Sequence, residues 1–146
     1  MNESWVTVVG NAATRPDFRE TASGVAVARF RLAVTVRRWD RRREIWADAH
    51  TSFYTVWTWR SLAANVAGSV SLGEPLLVHG TLRLRERERD RSREQPPDGP
   101  GGTNRWITAE IDAVAVGHDL TRGTSAFRRI SPAKPLLNVP TRATSP

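Results

Sequence analysis

The side chains able to do chemistry in this chain are aromatic rings and guanidinium groups. Six tryptophans and four phenylalanines stand among 21 arginines, and Lys134 is the sole lysine. A planar guanidinium forks onto phosphate oxygens and also stacks on flat rings, a pairing of abilities that suits a charged backbone with exposed bases. Arginine-favouring codons of a GC-rich genome give the same bias, so the placement of these residues matters more than their number.

Three stretches concentrate them. Arg37-Arg38-Trp39-Asp40-Arg41-Arg42-Arg43-Glu44-Ile45-Trp46 sets basic groups around an aromatic ring, Trp39, where a hairpin is expected. Rings for stacking beside cations for phosphates match what a single nucleic-acid strand offers; a solvated basic hairpin has the same composition. In Thr51–Trp59, strand parity puts Phe53, Trp57 and Trp59 on one face and Tyr54, Val56 and Thr58 on the other. Such an aromatic face serves equally as a stacking surface or as a core, and periodicity leaves both open. From Arg83 to Arg93 every odd position is arginine, while Glu86, Glu88 and Asp90 fill even positions. Extended, this arm carries a basic rail through Arg83, Arg85 and Arg87; as a helix its signs would mix. A self-neutralising charged arm is the competing reading.

Catalytic chemistry finds little support. The chain has no cysteine, which excludes disulfides, thiolate nucleophiles and cysteine-held metals. His50, His79 and His118 lie far apart in sequence. Asp48 and His50 share a strand face, but structural or surface histidines account for all three. No glycine-rich phosphate loop and no Gly-x-Ser-x-Gly elbow appears. The expectation is a binding protein that is not an enzyme, with no cofactor and no metal.

The elements that must position these groups are mostly strands. A first strand is expected at Trp5–Val9, closed by Gly10-Asn11, and a second at Val25–Val36, where Phe30, Leu32, Val34 and Val36 alternate with Arg29, Arg31 and Thr35. Thr51–Trp59 is the third. Ser61–Gly68 reads as a short helix, with Ser61 as N-cap, Leu62 and Val66 on one face and Gly68 at its end. Gly73-Glu74-Pro75 then turns the chain into strands at Leu76–Arg85 and Trp106–Val116. Five strands with one helix between the third and fourth predict an all-β closed barrel, because closure removes exposed edges. Glu94–Thr103 is rich in proline and glycine and reads as a flexible loop tip.

The 146 residues allow one ordinary domain and an appendage. Residues 1–119 carry 17 basic and 15 acidic side chains, whereas residues 120–146 carry five basic and none acidic. The first segment is the expected domain, and the second a flexible, basic, proline-containing tail. No apolar run approaches the ~20 residues of a membrane span, and Met1–Trp5 lacks the features of a secretory signal. A cytoplasmic, nucleoid-associated protein without a membrane partner is expected.

Three stretches, Thr7–Arg19, Gly24–Ala33 and Gly73–Arg85, resemble in order and spacing the signature segments of the bacterial single-stranded DNA-binding protein family. With Thr51–Ala63 the resemblance covers roughly residues 4–119. It implies a five-stranded OB-fold with extended hairpins, usually in a homotetramer, that wraps single-stranded DNA without sequence preference during replication, recombination and repair. Carried over by position, Trp39, Phe53 and Trp59 fall where the family stacks bases, Trp57 matches an aliphatic position, and Arg87 replaces a further tryptophan of some members. Arg29, Arg31, Arg37, Arg38, Arg83, Arg85 and Arg87 complete the expected DNA-binding set. Typical members end in an acidic tip that recruits replication and repair proteins. No acid follows Asp119 here, so that recruitment is unsupported and an accessory paralogue is expected. The alternatives are a primosome-type or RNA-binding OB module and, from another class, a protein-interaction domain whose basic tail docks an acidic partner.

Overall fold

Period-two patterning builds nearly the whole molecule. The computed structural model describes residues 2–88 and 105–130. Strands β1 (Ser4–Ala12), β2 (Asp17–Glu20), β3 (Ala26–Asp40) and β4 (Ile45–Trp59) precede helix α1 (Arg60–Ser69), and β5 (Pro75–Glu88) and β6 (Arg105–His118) come after it. In β3, Ala28, Phe30 and Leu32 are buried between exposed Arg29 and Arg31; in β4, Val56 and Thr58 are buried. The alternation arises because successive side chains point to opposite faces of a strand.

The strands form one sheet in the order β1-β5-β6-β4-β3-β2, and β1 also pairs with β3 through Asn11↔Ala33 and Ala12↔Leu32. That last pairing closes β1, β5, β6, β4 and β3 into a barrel, with β4 and β6 as its parallel seam. This is the expected OB arrangement. Phe30, Leu32, Val56, Leu76, Val78 and Ile111 fill the interior, joined by Val66 of α1 and by Val70 just beyond it. Each fully buried side chain of this size stabilises the fold by about 1.5–3 kcal/mol. The buried Thr58 hydroxyl donates to the Ala28 carbonyl at 2.8 Å, so the core holds no orphan there.

Several boundaries differ from those read off the sequence. Asp17–Glu20 adds a sixth strand, paired with β3 from Asp17↔Arg29 to Glu20↔Ala26. Its four residues are too short for periodicity to register. Gly10-Asn11 lies inside β1, which passes so close to β3 that a Cβ at Gly10 would run into the Ala33 carbonyl. The missing side chain marks a strand crossing there. Arg37–Trp46 forms mostly strand: β3 and β4 stay paired up to Asp40↔Ile45, leaving a turn at residues 41–44. Asp40 organises that turn, accepting from the amides of Arg42 (3.0 Å) and Arg43 (3.3 Å) and from Arg43 Nε (3.1 Å). These bonds, with the Arg43 guanidinium foremost, hold the Asp40 carboxyl below its ordinary range.

Helix α1 starts at Arg60 with no side-chain cap, so Ser61 does not cap it. Strand β4 feeds straight into the helix, and Arg60 makes the turn in the left-handed region at φ 60°. Gly68 lies within the helix, which closes as the Val70 amide donates to Val66 O at 2.9 Å. At the other side of the barrel, His118 clasps two segments: its Nε2 lies 2.9 Å from Glu74 Oε1 and its Nδ1 2.7 Å from the Ser125 hydroxyl. Residues 119–130 have no helix or strand. The expected loop tip Glu94–Thr103, the rail beyond Arg87 at Arg89, Arg91 and Arg93, and the tail from residue 131 onward lie outside the described residues. Among the described residues no helix is long and apolar enough to cross a membrane.

Candidate nucleic-acid interface

The registers of four strands place the chemistry-bearing residues in rows across the outer face of the barrel. One row runs Arg31, Thr55, Glu110, Arg83 and the next Arg29, Trp57, Asp112, Thr81, from β3 through β4 and β6 to β5. The inward partners of the same strands, Phe30, Val56 and Ile111, are core. The aromatic face of Thr51–Trp59 is therefore the outside of the barrel. Phe53 is 46% exposed and Trp59 39%, while Trp57 is half-buried between them.

Guanidinium groups and rings interleave on this face. The Arg31 guanidinium lies 4.7 Å over the Phe53 ring and that of Arg29 lies 5.5 Å over Trp57, both within cation–π range. Trp57 and Trp59 lie parallel, with centroids 6.2 Å apart. Trp57 Nε1 is buried and lacks a hydrogen-bond partner.

Where the two long hairpins part, a cleft opens. Strands β4 and β6 pair only from Tyr54↔Ala109 to Trp57↔Asp112; before that point each pairs only with its antiparallel neighbour, so the arms diverge. The fork encloses about 570 Å³, with Arg31, Phe53 and Thr55 on one side and Arg87, Trp106 and Thr108 on the other. Glu110 lies at its base. A second hollow lined by Thr14, Arg15, Asp17, Arg29, Arg31 and Thr55 continues it toward β2. Along this path Arg15, Arg29, Arg31 and Arg87 outnumber Asp17 and Glu110 two to one, which leaves it attractive to an anion.

The arginine rail exists, and its acidic partners differ from those its own sequence suggests. Arg83 Nη2 lies 3.2 Å from Glu110 Oε1 and Arg87 Nη2 3.4 Å from Oε2, with Arg85 Nε at 4.0 Å. Asp112 adds a second contact to Arg83 at 3.3 Å. Glu86 instead pairs with Arg105 at 3.0 Å, because even positions of β5 face the other way. On the β3–β4 hairpin, Trp39 is 48% exposed and meets Trp46 edge to face at 5.7 Å. Arg37 shares that face and pairs with Asp48 at 3.4 Å; parity turns Arg38 to the opposite one.

Trp46, Trp106, Thr108, Glu110 and Asp112 escaped the sequence reading. Parity within Trp106–Asp112 groups four of them on one face. Only the pairing with β5 and β4 shows that this face fronts the arginines and Phe53.

A sequence profile described as the Single-strand binding protein family matches residues 3–96. The chain belongs to that family. Among family relatives, Single-stranded DNA-binding protein 2 of Streptomyces avermitilis is 57% identical over 131 residues, 90% of this chain and 75% of that one. Single-stranded DNA-binding protein 1 of Streptomyces coelicolor is 50% identical over 129 residues, 88% of this chain and 74% of that protein. The crystal structure of a small single-stranded DNA-binding protein from Streptomyces coelicolor superposes with a TM-score of 0.69 at 47% identity, covering 84% of this chain and all of the other. The second single-stranded DNA-binding protein of Mycobacterium smegmatis gives 0.61 at 25% identity, covering 88% of this chain and all of that one. The barrel is the OB-fold of this family, and the resemblance seen in the sequence is confirmed at the level of family and fold.

Proposed function

We propose that this protein binds and protects single-stranded DNA without sequence preference in replication, recombination and repair, as a non-catalytic, cofactor-free member of its family. The observation that carries the reading is the interleaving of rings and guanidinium groups along one outer face, Arg31 on exposed Phe53 and Arg29 on half-buried Trp57, continued by exposed Trp39 and Trp106 on the diverging arms. Every base has a π-face, so stacking on such rings tolerates any sequence, while the arginines track the phosphates. Trp39, Phe53, Trp57, Trp59 and the groove arginines carry the contact. Trp106, register partner of Arg87, supplies the platform that Arg87 replaces.

Residues 1–119 act as the binding domain and the basic segment beyond them as an electrostatic accessory, in the cytoplasm and on the nucleoid. A homotetramer fits the apolar strip on the β1–β5 face, where Trp5, Val9 and Leu77 are exposed beside His79. Competition of poly-dT, poly-U and duplex DNA against one fluorescent oligo-dT tests the function. Poly-dT is expected to compete best. Preference for poly-U would favour an RNA-binding or primosome-type module, and absence of binding to all three would favour a protein-interaction domain.

A further inference from the structure

The base of the groove contains an acid where a nucleic-acid surface would be expected to avoid one. Glu110 is only 2% exposed, yet it sits on the outer side of the barrel because Arg83 and Arg87 fold over it. A buried carboxylate is tolerated when charge and hydrogen bonds surround it, and here both come from the rail. Arg83 Nη2 donates at 3.2 Å and Arg87 Nη2 at 3.4 Å, with Arg85 Nε at 4.0 Å. The three guanidinium groups remain about half-exposed and Arg87 lines the groove itself, so the rail stays open to solvent while its charge is partly cancelled beneath it.

We infer that Glu110 is a positioning residue that acts through Arg83, Arg85 and Arg87 to keep the electrostatic share of binding low, so that stacking decides which nucleic acid is held. This rests on the proposed single-stranded DNA reading and extends it to discrimination against duplex. An unopposed rail would attract any polyanion, and more strongly the duplex, whose charge density is higher: counterion release contributes about −0.9 to the salt slope per contact on a duplex against about −0.7 on a single strand. Rings in the fork reward only bases whose faces are open. Cancelling cations under the rings therefore weakens duplex binding more than single-strand binding.

The test is the salt dependence of oligo-dT and duplex binding by the full chain and by Glu110→Gln, which removes the charge and keeps the shape. The variant is expected to bind oligo-dT more tightly at low salt, with a slope steeper by roughly 0.7, an added loss of about 2.5-fold across a fourfold rise in salt. Its preference for oligo-dT over duplex should narrow. Glu110→Asp, which retains the carboxylate, should keep the parent slope. Should Glu110→Gln fail to fold, Asp112→Asn, removing the more exposed partner of Arg83, is expected to shift the slope in the same direction by less. An unchanged or shallower slope in the variant measured would overturn the inference, since the acid would then serve only to hold the arginines. A parent protein that binds neither nucleic acid would overturn the functional reading itself.

Discussion

At the scale of single residues, the decisive fact is that large rings are left half in water while another is enclosed in the core. Phe30 is fully buried while Trp39, Phe53, Trp59 and Trp106 are each 39–48% exposed. Replacing a core ring empties a cavity and costs about 3–5 kcal/mol of stability; replacing a surface ring costs far less. Trp39→Ala, Trp59→Ala and Trp106→Ala are therefore expected to melt close to the parent. Each should nevertheless lose roughly 1–3 kcal/mol of oligo-dT binding, a factor of about 5 to 150. Titrations monitored by tryptophan quenching, run beside thermal melts, check both halves. Early melting with normal affinity would assign these rings to packing.

At the scale of elements, the hairpin arms and the joints between strands divide the labour. The arms carry rings and arginines beyond the barrel; the joints keep the barrel closed. One joint is the clasp of Glu74, in the turn before β5, with His118 at the end of β6. The Ser71 amide first, and His118 second, hold the Glu74 carboxyl below its ordinary range. The folded protein thus binds fewer protons than the unfolded chain there, so the clasp's contribution is complete at neutral pH and fades as pH falls through that range and below it. The melting temperature should drop on acidification, and less so in Glu74→Gln. Because Glu74 and His118 are both partly exposed, the difference is expected to be modest. Equal drops in the two proteins would show that the clasp does not contribute to acid sensitivity.

At the scale of the whole molecule, charge separates the barrel from its C-terminal extension. Residues 120–146 carry five cations and no acid, and the portion up to Ile130 is exposed and irregular. Among the described residues it is held through the Ser125–His118 bond, a surface contact, and through bonds of Thr121 and Arg122 to Asp119. Truncation after Asp119 should leave assembly and stability nearly unchanged and weaken oligo-dT binding at low salt. At 1 M salt, where the screening length is ~3 Å, the truncated and full chains should bind alike. Sizing chromatography and salt titrations supply the readouts. Tighter binding after truncation at low salt would contradict an attractive segment, and loss of assembly would show that Phe127 or Ile130 packs against a neighbouring copy.

Taken alone, the sequence determined whatever depends on neighbours one or two positions apart. A period of two sorted Phe53, Trp57 and Trp59 from Tyr54, Val56 and Thr58 and aligned the odd arginines of β5; together with β-branched runs and turn signals it located five of the six described strands. It left open which face of Thr51–Trp59 was core, because both faces are rich in apolar side chains. It also set the Arg37–Trp46 segment in a loop, because cross-strand pairing of Trp39 with Trp46 has no signal along one strand. Ring closure through β1 and β3 settled the first question by enclosing Val56 and Thr58. Register settled the rest: it brought Glu110, 27 positions from Arg83, under the rail, and set Trp106 beside Arg87 where β4 and β6 part. Those contacts join residues distant along the chain, and their identity depends on how strands align across the sheet, a property that local patterning does not encode.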